Sequence, residues 1–327
     1  MKSAGKLKRM SERKKVILLF VVVSFFYPSF GQQMPLNPIS YRVLSPFIIN
    51  PAIAGSKDFF SIDLIAGFKS KSSSEIISGN SRIAKKTQEY VRSGQTYSFT
   101  NFGIGGSAFN DFNSVDSTHS AGLSATLAYH IPLNKKRLAF LSIGASMKGL
   151  YHFREGNPDL GIHGKEFYYP NIDFGVYLYG PSAYAGLSTT NFLDPPADPD
   201  TLTNYKIPIT RQYNFIAGYK FVLSRSLDLV LEPSVIIFID DTTTFDIKEN
   251  IEPMLKLYAG NFCLGTYFSD YSNFSFFFQY RYPRFYVGTF IAIPKKSPFY
   301  KKSLTAEIAV GINLSHNKSG YLRSSQW

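Results

Sequence analysis

Near the end of the chain, apolar residues alternate one for one with polar or small ones. Leu304, Ala306, Ile308, Val310 and Ile312 alternate with Thr305, Glu307, Ala309, Gly311 and Asn313. A strand turns successive side chains to opposite faces, so this segment has one greasy and one polar or small side. The rhythm recurs almost everywhere. In 121–133 the apolar set is Ala121, Leu123, Ala125, Leu127, Tyr129, Ile131 and Leu133, opposite Ser124, Thr126 and His130. In 211–223 it is Tyr213, Phe215, Ala217, Tyr219, Phe221 and Leu223, and in 258–268 it is Tyr258, Phe262, Leu264 and Phe268. Many such segments in one chain predict a barrel whose outside meets lipid and whose inside meets water.

Further strands are expected in 59–69, 95–110, 137–153, 168–180, 183–193, 227–240, 243–256, 274–283 and 284–294. Many reach the roughly 9–11 residues that a tilted spanning strand needs. Short links, at 134–136, 180–182, 224–226, near 256–257 and at 283–284, alternate with longer ones. Bacterial barrels have short periplasmic turns and longer outside loops. The alternation closes only with one more strand within 71–94, a polar stretch without clear pattern. The expected fold is therefore all-β, a transmembrane antiparallel barrel of 14 strands over 59–314, with both ends on the periplasmic side. A charge placed at Val310 is expected to be costly, and one at Ala309 far cheaper.

Residues 1–31 read as an export signal. Lys2, Lys6, Lys8, Arg9, Arg13, Lys14 and Lys15 precede a short apolar core at 16–26, and Ser29 and Gly31 suit cleavage before Gln32. Those seven basic residues and Glu12 would leave together, taking the formal charge from +12 to +6. A nucleic-acid partner is not expected from what remains. Residues 32–58 form a segment at the periplasmic mouth and 315–327 a polar tail. The single cysteine, Cys263, excludes an internal disulfide. The 30 Phe and 22 Tyr against 1 Trp suit strands and interfacial girdles. A soluble β-sandwich would also alternate, but a Gly-, Ser- and Asn-rich second face with so many aromatics fits a barrel better.

The stretch ahead of the first strand runs Asn50-Pro51-Ala52-Ile53-Ala54-Gly55. It resembles the start of the PorP/SprF family of outer-membrane proteins of the Bacteroidetes type IX secretion system, whose mature chains run Gln-Asp-Pro, then a Tyr- and Asn-rich stretch, then Asn-Pro-Ala-Tyr-Ala-Gly. The segments 122–133, 173–177, 184–188, 217–221, 233–235, 245–246 and 264–267 fit the same family. Ile53 stands where the family usually has an aromatic. The resemblance implies an outer-membrane, non-enzymatic part in secretion or gliding that helps deliver or anchor a secreted surface protein or adhesin. It also implies contact with the periplasmic and outer-membrane secretion machinery. A small-solute porin is the alternative, and a barrel hydrolase a third. The motif residues Asn50, Pro51, Ala52, Ala54 and Gly55 are the candidate site. Asn50 before proline is pushed to extended or turn geometry, and the small residues let the backbone pass close to something. A segment packed at the mouth, one tucked into the lumen and a tight turn into the first strand all fit. The motif is expected to be ordered on the periplasmic side and to help a partner dock.

Conventional chemistry is sparse. His119, His130, His152, His163 and His316 are scattered, and no acid is placed to orient His130 within its own strand. Cys263 has no metal-ligand spacing to a partner. Asp194, Asp198 and Asp200 crowd a Pro-rich loop without the spacing of a calcium loop. Lys295, Lys296, Lys301 and Lys302 make a basic loop suited to lipopolysaccharide phosphates. No catalytic residue, cofactor or metal is expected.

Overall fold

The computed structural model describes residues 40–57, 60–69, 72–83, 88–92, 95–99, 101–113, 117–134, 139–156, 164–194, 210–241, 250–269, 273–282, 285–294 and 305–314. The expected export signal with its cleavage site, the basic loop, the polar tail, Asp198, Asp200, His163 and His316 lie outside them.

The strands are β1 (Phe60–Lys69), β2 (Ser72–Arg82), β3 (Gln88–Arg92), β4 (Gln95–Phe99), β5 (Phe102–Asn113), β6 (Thr118–Asn134), β7 (Ala139–Arg154), β8 (Lys165–Tyr179) and β9 (Ala183–Thr190). They continue as β10 (Gln212–Tyr219), β11 (Phe221–Ser224), β12 (Leu229–Asp240), β13 (Ile251–Ala259), β14 (Phe262–Ser269), β15 (Asn273–Tyr282), β16 (Phe285–Pro294) and β17 (Thr305–Leu314). Each wall strand pairs antiparallel with its neighbours, β1 with β17, and β10 with β12. β10 and β11 are two halves of one strand broken at Lys220, both paired to β12. The result is a closed barrel of 14 strands. Closure removes the unpaired edges that a bilayer would not tolerate.

β17 shows the faces. Ile308 is 52% exposed and Glu307, next to it, 1%. Ile308, Val310 and Ile312 point outward, and Glu307 and Ala309 point into a packed lumen. The expected strand in 71–94 is β2. The single strand expected over 95–110 is two elements: β4 pairs only with β3, as a separate two-stranded sheet, and β5 enters the wall. The turn expected near 256–257 lies at Gly260 and Asn261, with Gly260 at φ +57°. Tyr258 therefore ends up on the inner face of β13 instead of the outer face of β14.

Phe60 pairs with Leu314, so both barrel ends lie at the short-turn end, the periplasmic one by the usual rule. The alternation of link lengths is reversed at β2. The β1–β2 link is two residues on the long-loop side, and the β2–β5 link carries the β3–β4 hairpin on the short-turn side.

Candidate functional site: a plug locked into a glycine bed

Residues 40–56 run inside the barrel. Helix α1 (Ser40–Leu44) is followed by two 3-10 turns, Pro46–Ile48 and Pro51–Ile53. Proline at the first position of each turn presets φ and gives up an N–H that would have had no partner. Asn50 caps the second turn: its Oδ1 accepts from the Ala52 N–H at 3.0 Å. Leu44, Phe47, Ile49, Ala52, Ile53 and Ala54 are buried in one apolar cluster with inward residues of the wall.

The first half is held by polar contacts. The Ser40 N–H and Oγ donate to Glu307 Oε2 on β17 at 2.8 and 2.5 Å. Arg42 pairs with Glu252 on β13 at 2.5 Å, donates to the Tyr267 hydroxyl on β14 and lies 4.7 Å over the Phe238 ring. Ser45 Oγ donates to Asp63 Oδ2 on β1 at 2.6 Å and meets Ser78 Oγ on β2 at 2.7 Å. Glu307 and Glu252 sit near the long-loop ends of their strands, and Gly103, which meets Ala54, sits near the short-turn end of β5. The plug therefore descends the lumen before the chain turns into β1.

The second half, which holds the motif, lies on backbone. Gly103, Ala128, Gly144, Gly175 and Ser188 are direct cross-strand partners in sequence over β5, β6, β7, β8 and β9. Together they make a row of small residues across five strands. A Cβ at Gly103 would collide with the Ala54 carbonyl oxygen, at Gly144 with the Ala52 nitrogen, and at Gly175 with Asn50 Oδ1. Asn50 Nδ2 donates to the carbonyls of Val176 at 3.1 Å and Leu187 at 3.3 Å. Ser188 Oγ donates to the Ile49 carbonyl at 2.8 Å, and His130 Nε2 to the Ala54 carbonyl at 3.0 Å. Gly55, at φ +71°, packs so that a Cβ would stand 2.6 Å from Gly103 Cα, and its carbonyl accepts from Arg82 Nε at 2.8 Å. All five motif residues are used: one caps, one presets the turn, and three let two backbones touch.

The other sequence candidates fall elsewhere. His130 is a plug contact whose Nδ1 meets the Tyr179 hydroxyl at 3.0 Å. His152 Nδ1 meets Ser120 Oγ at 2.8 Å, a pair sequence reasoning missed. Asp111 lies across Ser120 from His152 and accepts from the Ser74 hydroxyl. His119 faces outward against Asn110. Cys263 is buried on the inner face of β14. Asp194 pairs with Arg211 at the rim, 3.3 Å away. Among the described residues no group of three His, Cys, Asp or Glu side chains converges as a metal site would need. A second lumen network joins Glu232 to Lys256 at 2.8 Å, Tyr184 at 2.7 Å and Tyr258 at 3.2 Å.

The class of protein is thereby set: an outer-membrane β-barrel whose own N-terminal segment occupies its lumen. The family model described as type IX secretion system membrane protein PorP/SprF matches residues 39–312, and the chain belongs to that family. Among solved structures, the CymD monoaromatic hydrocarbon channel is similar with TM-score 0.42 and 13% identity, over 82% of this chain and 91% of that one. The KdgM porin is similar with TM-score 0.37 and 8% identity, over 79% and 99%. BamA from Haemophilus ducreyi lacking POTRA domains 1-3 is similar with TM-score 0.39 and 8% identity, over 78% and 70%. No curated protein matches the sequence.

Proposed function

We propose that this barrel serves type IX secretion as a closed, non-enzymatic platform that helps deliver or anchor a secreted surface protein. On this reading it works through partners at its rims and walls and not as a conduit. The observation that carries the reading is the plug. Its polar half ties into β1, β2, β13, β14 and β17, and its motif half rests on β5 to β9. A porin needs a continuous water path, and a segment pinned on nearly every side works against one. The motif Asn50, Pro51, Ala52, Ala54 and Gly55 is proposed as the lock that seats the plug. Lipopolysaccharide and the periplasmic secretion machinery are the expected neighbours of the rims.

The test has two arms. In planar bilayers the purified protein should show no stable open channel, and a variant lacking 40–56 should conduct. In cells, loss of the gene should abolish surface display of the cargo, and restoring the intact chain should return it. Steady large conductance by the intact protein, with cargo display unaffected by its loss, would favour the porin.

A further inference from the structure

The outer surface of the barrel carries one feature that the plug and its platform role leave unused. A lipid-facing wall should present apolar residues at every second position. β17 does so with Ala306, Ile308, Val310, Ile312 and Leu314. β2 does not. Its outward positions are Ser73, Glu75, Ile77, Gly79 and Ser81, because the alternate Ser74, Ile76, Ser78 and Asn80 face the buried interior. Glu75 pairs across the strands with Ala66, and Ala66 with Ile308, so in register it aligns with outward apolar positions, toward the long-loop end of β2.

Glu75 heads a polar chain on the barrel exterior. Asn110 Nδ2 on β5 donates to Glu75 Oε2 at 2.8 Å, and His119 Nε2 on β6 reaches Asn110 Oδ1 at 2.6 Å. Carboxylates facing hydrocarbon are expensive and mark function. The other outward carboxylate among the described strand positions, Glu166, stands near the long-loop end of β8 beside the Tyr168 hydroxyl.

The outward glycines of this wall differ from the inward ones. A Cβ at Gly149 would meet nothing within 4 Å, and one at Gly106 only the Ser124 carbonyl at 3.2 Å. Nothing among the described residues requires Gly149 to be small, yet glycine weakens a strand. Above this floor Leu123 and Met147 stand out, each 69% exposed. The β3–β4 hairpin, on the short-turn side, grows from the same two strands, β2 and β5.

We propose that the outward face of β2, β5, β6 and β7 docks a second, different membrane-spanning protein. That partner lays a cationic side chain against Glu75 and packs over Gly106, Ala108 and Gly149. Charge complementarity selects the occupant. The described outward strand positions of this barrel hold no lysine or arginine, so the described wall of a second copy offers no cation to Glu75. Hydrocarbon chains bring none either. The proposal rests on the reading of the barrel as a platform that works through partners.

A photocrosslinking residue is placed at Ile77 or Leu123, and at Leu264 or Ile291 on another part of the wall, in the full chain in native outer membranes. The first pair should give one discrete adduct with a single membrane protein, mapped to a membrane-spanning stretch with a basic residue, and the second pair should not. Glu75→Lys and Gly106→Phe should each cut the adduct about tenfold or more, as expected when a desolvated ion pair or a packed contact is lost. Exchanging the partner's basic residue for glutamate should restore the adduct with Glu75→Lys. Heat-modifiable migration on gels confirms that each variant barrel is folded. Equal yields from both walls, adducts with lipid or with a second copy alone, or indifference to Glu75→Lys would overturn the proposal. If the adduct forms as expected and loss of the gene leaves cargo display intact, the docking face stands and the cargo role falls. If cargo display needs the gene and no adduct forms, the reverse holds.

Discussion

Gly144 and Gly175 are direct cross-strand partners on β7 and β8, and Ala52 and Asn50 of the plug occupy the space that their side chains would have filled. A strand interior disfavours glycine unless another backbone must come close. Two such glycines side by side, extended by Gly103, Ala128 and Ser188, tie wall composition to the path of a segment far away in sequence. The wall and the plug therefore need each other's small residues, and either half of the lock alone should be enough to break it.

Gly144→Leu and Gly175→Leu should each unseat the plug with the barrel intact. Overpacking a close contact costs about 1–3 kcal/mol, and a side chain at either position needs the space that Ala52 or Asn50 now fills. The expected outcome is normal heat-modifiable migration, new protease cleavage within 40–56, and channel openings in bilayers that the unmodified protein lacks. Gly149→Leu, on the outer face with open space around it, should do none of this.

Asn50 has two jobs that two substitutions separate. Asn50→Asp keeps the cap on the Ala52 N–H and loses the donors to the Val176 and Leu187 carbonyls. Asn50→Ala loses both. A cap is worth about 0.5–2 kcal/mol, and a buried carbonyl left unpaired costs about 1–3 kcal/mol. Both variants should loosen the plug, read as faster proteolysis of 40–56 in the folded barrel. Aspartate should be no better than alanine, since it also buries a charge facing two carbonyl oxygens. Wild-type protection with Asn50→Asp would mean the wall contacts contribute nothing.

The faces of β17 were legible in the sequence because a period of two is unambiguous when every outward residue is Ala, Ile, Val or Leu. β2 was not, because its outward Ser73, Glu75, Gly79 and Ser81 carry no lipid signal. It could be inferred only from parity. The β13–β14 turn was misplaced because Tyr258 suits either face, and only the register with β12 puts it inward next to Glu232. The plug's contacts are long-range pairings that no local pattern encodes. A hint was available in the glycines at inward positions of β5, β7, β8 and β9. The expectation for Ala309 changes for the same reason: it sits on the inner face as read, and there it is fully buried in the apolar cluster that holds the plug.

The β17 substitution series changes accordingly. Val310→Arg should destabilise the barrel by about 2–4 kcal/mol if the site lies near the midplane. Ala309→Arg should also be costly, through the packed lumen and not through lipid. Asn313→Arg, half-buried near the short-turn end, should cost least. Urea unfolding in lipid vesicles gives the order. Removing the plug should relieve Ala309→Arg and leave Val310→Arg unchanged.

Arg42 and Glu252 should show strong coupling. The pair is nearly buried, and Tyr267 also donates to Glu252. Removing one partner of a buried ion pair leaves the other charge stranded, which typically costs about 3–5 kcal/mol, whereas replacing both with apolar groups of similar size is often close to neutral. Arg42→Met and Glu252→Met alone should therefore each expose the plug to protease, with Arg42→Met the worse because it leaves a buried carboxylate without its cation. The double variant Arg42→Met/Glu252→Met should recover much of the protection. A double variant as labile as the sum of its singles would mean that the two side chains act independently.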